Sequence, residues 1–109
     1  MANTFKLKTK ANVGVTTVGI YTAPAATTTV VIGITLANTS GSGVNVGVGI
    51  TRAGTTEDVK LLKNAPIPQG SSLEFMAGNK IVLETTDTVT VESDTNNSVD
   101  AALTIMEIT

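Results

Sequence analysis

The chain contains no cysteine, no histidine and no tryptophan. Without cysteine, neither a disulfide nor a thiolate metal site can support the fold. Without cysteine and histidine together, Ser-His-Asp triads, Cys-His pairs and histidine-bound zinc are all excluded. Aromatic residues make up 3% of the sequence, and Phe5, Tyr21 and Phe75 are all of them. The core must therefore be built from Val, Ile, Leu and Ala. No apolar run is long enough for a transmembrane helix. The opening stretch Met1-Ala2-Asn3-Thr4-Phe5-Lys6 lacks the apolar segment of a secretory signal, so the chain is expected to be made and folded in a reducing cytoplasm. A formal net charge of −2 and a pI near 4.9 argue against nucleic acid as a partner, since phosphate binding needs a basic surface.

What the chain does have is β-branched residues. Threonine alone supplies about a fifth of the 109 positions, and with Val and Ile the β-branched share exceeds a third. That favours pleated sheet over helix. No stretch carries apolar residues at helical spacing over three turns. Turn residues divide the chain at short, even intervals, as in a sandwich or barrel.

The alternation predicts a first strand over Thr4–Lys10, with Phe5, Leu7 and Thr9 on one face and Lys6, Lys8 and Lys10 on the other. A break at Asn12–Gly14 and a strand over Val15–Thr22 follow. In Thr28–Ala37 the apolar face is read as Val30, Ile32, Ile34 and Leu36. Val44, Val46, Val48 and Ile50 alternate in the next strand, and these two are expected to form a hairpin with one buried face. Turns are expected over Arg52–Thr56 and Ala77–Lys80. Between them, Glu57–Asn64 has too little pattern to orient, and Ser72–Met76 places Leu73 and Phe75 inward. Ile81–Leu83, Val89 with Val91, and Val99, Ala101, Leu103 and Ile105 complete eight or nine strands. The fold class is all-β: residues 1–109 form a single antiparallel β-sandwich of about eight strands, of jelly-roll or immunoglobulin-like order. Residues 1–10 form an edge strand or a docking arm.

Few residues suggest chemistry. Glu84, Asp87, Glu92, Asp94, Asp100 and Glu107 are read at turns or on outward strand positions beside no aromatic wall, which argues against a carboxylate enzyme. Gly41, Gly43 and Gly47 miss the dinucleotide fingerprint. Asp94, Asn96, Ser98 and Asp100 have the alternation of a calcium loop, but Val99 stands where the loop needs glycine, so a polar turn is expected. Asn38-Thr39-Ser40 and Asn96-Asn97-Ser98 match the glycosylation pattern and are read as ordinary turns. No catalytic residue, metal site or cofactor is expected.

Two features point to partners. Gly47 and Gly49 lie inside a strand, which reads either as bulges and crowding against a neighbouring sheet or as a face across which another chain lies. Charge is also segregated: Lys6, Lys8 and Lys10 open the chain, and after Lys80 every charged residue is acidic. The lysines either protect a sheet edge from unwanted pairing or dock on an acidic surface of a neighbouring subunit. Phe5, Lys6, Lys8, Lys10, Gly47 and Gly49 are thus the candidate docking residues.

Tyr21-Thr22-Ala23-Pro24-Ala25, the Thr-rich strand Thr27–Leu36, and Ala37-Asn38-Thr39-Ser40-Gly41-Ser42 follow a pattern of Tyr-x-x-Pro, a turn, an apolar strand and Asn-x-Ser-Gly. Asn64-Ala65-Pro66-Ile67-Pro68-Gln69-Gly70-Ser71-Ser72-Leu73, Ile81-Val82-Leu83-Glu84 and Asp87-Thr88-Val89-Thr90-Val91 continue it. This grammar resembles small virion proteins of tailed phages, especially those of marine and cyanobacterial hosts. The resemblance spans about residues 18 to 108 and brings no catalytic or ligand residues. It implies a virion component that binds major capsid protein or other virion subunits. That is a capsid decoration protein, or alternatively a tail, neck or fibre-attachment subunit. Such proteins sit at symmetry axes, so a homo-oligomer, trimer included, is expected. No membrane or nucleic acid is expected among the partners. A carbohydrate-binding module would need an exposed aromatic platform that three aromatics scarcely supply.

Overall fold

The computed structural model describes residues 3–52, 57–75 and 80–109. Nine strands run through them: β1 (Asn3–Val13), β2 (Val18–Thr22), β3 (Thr28–Asn38), β4 (Val44–Arg52), β5 (Glu57–Ile67), β6 (Ser72–Phe75), β7 (Ile81–Leu83), β8 (Thr88–Ser93) and β9 (Val99–Ile108). The turns expected over Arg52–Thr56 and Ala77–Lys80, and the inward side chain expected of Phe75, fall wholly or partly outside what is described.

Two antiparallel sheets form a sandwich. One has the order β1-β9-β3-β6, with β7 pairing farther along β3, and the other has the order β2-β8-β4-β5. The pairing is a mirror: β1 with β9, β2 with β8, β3 with β6 and β7, and β4 with β5. Every first-half strand thus finds a second-half partner, as if one long ribbon had been folded over and rolled up. The inner faces carry a core of Val, Ile, Leu and Ala, with Leu83, Leu103 and Ile105 at 0% exposure and Leu36, Val46, Val48 and Ile67 at 1%.

Bulges account for most departures from simple alternation. In β3 the register with β9 shifts between Val31 and Gly33, leaving Ile32 as the extra residue. The inward set is therefore Thr29 and Val31 before the bulge, and Ile34, Leu36 and Asn38 after it. Val30 and Ile32, expected on the buried face with Ile34 and Leu36, are only half-buried. A one-residue insertion exchanges the faces of everything beyond it. In β1 the shift lies between Lys10 and Val13, and Asn12, with φ of 58°, absorbs it. Asn12 thus bends a strand that continues to Val13, where the sequence was read as a break. Asn tolerates the left-handed region better than most residues. β5 carries two shifts against β4, and Asn64 at φ 54° sits in the first. This is why Val59, Leu61 and Leu62 show no usable pattern.

The expected hairpin of β3 and β4 does not form: β3 lies in one sheet and β4 in the other. The Asn38 side chain turns the chain between them. Its Nδ2 donates to the carbonyls of Ser42 at 2.8 Å and Ile67 at 2.9 Å, and its Oδ1 accepts from the amide and hydroxyl of Ser40. These bonds satisfy a side chain that is 5% exposed, and they fasten the crossover to the end of β5.

Candidate interaction surface

β1 is an edge strand, and cross-strand neighbours in an antiparallel sheet share a face. Lys6, Lys8 and Lys10 stand opposite Ile105, Leu103 and Ala101, all buried, which face Val31, Ile34 and Leu36 of β3 in turn. The lysines therefore lie on the inner face, at the open margin of the sandwich. Their methylene stems extend the core rows. The basic ridge of the first strand is thus a basic lip over the core.

Beneath that lip is a polar cluster drawn from four strands and both sheets. The Tyr21 hydroxyl donates to Glu107 Oε2 at 2.6 Å and lies 2.8 Å from Thr29 Oγ1. A phenol has one proton, so the Thr29 hydroxyl must be the donor in the second bond. Lys6 Nζ completes the set at 2.9 Å from Glu107 Oε1, and Lys8 Nζ stands 6.0 Å from the centre of the Tyr21 ring. Burial, reinforced by the neighbouring carboxylate, pushes the Tyr21 hydroxyl up to about 12. The hydrogen bonds from Tyr21 and Lys6 hold Glu107 below the usual carboxylate range. Glu107 was read as an outward residue, but it is 7% exposed and faces inward. It shares the parity of Val99, Ala101, Leu103 and Ile105, and that was the available signal.

The opposite margin is closed in the same way. Arg52 reaches Asp87 Oδ1 from Nε at 3.2 Å and pairs with Glu84 through Nη2. On the outer face of the second sheet, Lys60 Nζ lies 2.6 Å from Glu92 Oε1, which holds Glu92 below its ordinary range. The Lys6 and Arg52 pairs each join a first-half cation to a second-half acid. Mirror pairing of the strands turns charge segregation along the sequence into neutralisation in space. Asp94 and Asp100 accept backbone amides, from Asn45 at 3.1 Å and Asn12 at 3.0 Å.

The two candidate glycines are covered by the chain itself. A Cβ on Gly49 would sit 2.8 Å from the Val59 carbonyl oxygen, and one on Gly47 would sit 3.3 Å from the Leu62 carbonyl oxygen and 3.2 Å from Glu92 Cγ. Glycine at these positions lets the doubly bulged β5 lie close against β4. Gly47 and Gly49 are themselves buried, and Gly47 lies at the floor of a groove lined by Lys60, Leu62 and Glu92.

The outer face of the five-stranded sheet is a different surface. One register row runs Phe5, Met106, Val30, Val82 across β1, β9, β3 and β7. The next runs Leu7, Thr104, Gly33, and the one after it Thr9, Ala102, Thr35, Glu74. Phe5, Leu7 and Val82 are 68%, 65% and 58% exposed, and Val30, Ile32, Met106 and Ile108 are half-buried. Glu74 and Asp100 are the charged members of these rows and of the Asp100, Ala37, Ser72 row beyond them, at the end away from Phe5. Of the six candidate docking residues, only Phe5 lies on this face. Val30 escaped notice because the unseen bulge assigned it to the core, and Leu7, Val82 and Met106 because a lone apolar residue on a strand does not reveal its side.

No family model and no curated protein matches this chain. Among solved structures, a chain from Bacillus endospore appendages, described as a novel family of disulfide-linked pili, superposes with a TM-score of 0.57. The match covers 99% of this chain and 87% of that one at 17% identity, and it shows a shared β-rich fold.

Proposed function

We propose that the chain is a non-catalytic structural subunit of a phage particle, a capsid decoration protein that binds assembled capsid subunits. The observation that carries this reading is the outer face of the five-stranded sheet, where Phe5, Leu7 and Val82 stand exposed on a body whose buried polar side chains, among the described residues, are hydrogen-bonded within the chain. A contiguous apolar patch of this kind marks a contact surface. A rigid two-sheet body presents it at little ordering cost.

The strand orders β1-β9-β3-β6 and β2-β8-β4-β5 support reading the sandwich as a jelly roll, an architecture frequent in capsid domains. The likeness to a pilus protein supports an assembling role by analogy of fold alone. The 109 residues here hold no cysteine, so their contacts would be made without the disulfides of those pili. A carbohydrate-binding role has less support, because among the described side chains Tyr21 is buried and Phe5 is the one exposed ring.

The test is co-sedimentation of the purified protein with capsid shells that lack it. Saturable binding, at a fixed number of copies per shell, is the expected result. Binding to tails or necks but not to shells would move the assignment to a tail accessory, and binding to neither would refute a virion role. Lys10→Glu is the charge reversal suited to probing the basic lip in this assay. Reversal at Lys6 would set a second carboxylate against buried Glu107 and disturb the fold as well.

A further inference from the structure

The outer face of the five-stranded sheet has no strand layer over it among the described residues. We propose that a second copy of this chain covers it, the two sheets packing face to face about a two-fold axis. This inference does not depend on the virion reading.

Three observations select a second copy. The first is charge. A contact of one patch with itself brings every charge near the axis against its own duplicate, so only an uncharged patch self-associates without that cost. The rows through Phe5 and Leu7 contain no charged residue, and Glu74 and Asp100 lie beyond them. The outer face of the other sheet carries Lys60 and Glu92 and would make a poorer self-contact.

The second is relief. Phe5 and Leu7 stand up from the edge strand, whereas two strands away a groove of about 270 Å³ is lined by Ile32, Gly33, Thr35, Ala102 and Thr104, with Glu74 at its far end. A two-fold axis along the strands above β9 exchanges β1 of each copy with β3 of the other. Register rows keep their level under that operation. Leu7 then lies over Gly33 of the second copy, Phe5 over Val30, and Thr104 over its own counterpart. Ridge meets groove twice.

The third is area. The three strands that overlap about this axis, about 4.8 Å apart and about ten residues long at about 3.3 Å each, give a footprint of roughly 480 Å² per copy, or roughly 950 Å² in all, the size of a weak, reversible contact. The free edge of β1 does not offer the copy an equal alternative. Antiparallel self-pairing centred on Leu7 would set Lys6 of each copy against Lys8 of the other, and edge lysines of this kind oppose pairing.

The experiment is sedimentation equilibrium of the full chain at about 100 μM and below, a range that resolves micromolar association. A reversible dimer is expected, and Leu7→Glu is expected to weaken it at least about tenfold. The exposed position of Leu7 leaves the far-ultraviolet circular dichroism unchanged. Asp58→Lys, on the other sheet, is expected to leave the dimer intact. A second readout does not rely on a disruptive variant. Because the chain has no cysteine, Thr104→Cys carries a single thiol. At the axis it should cross-link to its counterpart through a bis-maleimide spanning about 10 Å, the distance between packed sheets. A wild-type chain that stays monomeric, or a dimer that ignores Leu7→Glu and fails to cross-link through position 104, would overturn the proposal and leave the face to a partner of different sequence.

Discussion

Replacing Tyr21 by Phe removes one oxygen from the polar cluster at the β1 margin and leaves the ring in place. That oxygen donates to the buried Glu107 carboxylate at 2.6 Å and lies 2.8 Å from the Thr29 hydroxyl. A hydrogen bond to a charged group contributes about 1.5 to 3 kcal/mol, and the partner left behind is buried. Lys6 still neutralises Glu107 from the other oxygen, so the expected loss is at the middle of that range, about 2 kcal/mol. For a domain of this size that corresponds to a fall in Tm of about 8 °C. Urea unfolding followed by circular dichroism gives the free energy directly, provided the m value stays constant. The same cluster can be read spectroscopically, because Tyr21 is the only tyrosine and there is no tryptophan to obscure it. Its phenolate absorbance should appear near pH 12 in the folded protein and near pH 10 in concentrated urea. Glu107→Gln should bring the folded value part of the way down and leave the share due to burial. A change below about 0.5 kcal/mol for Tyr21→Phe, the size of an ordinary surface substitution, would refute the reasoning, as would a folded titration near pH 10.

Three further outcomes follow from other parts of the fold. Gly49→Ala, whose Cβ would meet the Val59 carbonyl oxygen at 2.8 Å, should cost about 1 to 3 kcal/mol, whereas Gly41→Ala, with nothing within 4 Å, should be nearly neutral; urea midpoints of the pair decide it. Asn38→Ala removes the side chain that fastens the crossover to the Ile67 and Ser42 carbonyls and should cost about 2 to 3 kcal/mol, measured the same way. Glu107 and Glu92 have folded values below their unfolded ones, so the stability they contribute is present above about pH 4.3 and is lost as the pH falls through the folded values. Glu107→Gln should flatten the acid limb of a stability-against-pH curve, and an unchanged limb would show that Glu107 gains nothing from its partners.

Alternation was enough to find the strands and the cores of β4, β8 and β9, because those strands meet the opposite sheet without an inserted residue on the buried side. It failed where one residue was inserted. The bulge at Ile32 transferred Val30 from the core to the outer face, and those at Asn12 and Asn64 respectively hid a strand end and disguised β5. Nothing in Thr28–Ala37 announces the shift, since its apolar residues suit either side. The asymmetry of charge was visible in the sequence, but its meaning depended on pairing. A chain whose first half pairs with its second half satisfies Lys6 with Glu107 and Arg52 with Asp87 within itself. Phe5 was named as a docking candidate through its place in the first strand, and the structure leaves it exposed. Its companions on the face became evident only once four strands lay in register.

The central claim is that this β-sandwich is a repeated structural component of a virus particle. Counting its copies in purified particles, by quantitative mass spectrometry against the major capsid protein, tests that claim most directly. A copy number of the same order as that of the capsid subunit is the expected result. Absence from the particle would contradict the claim, and a dozen copies or fewer would contradict decoration of the shell.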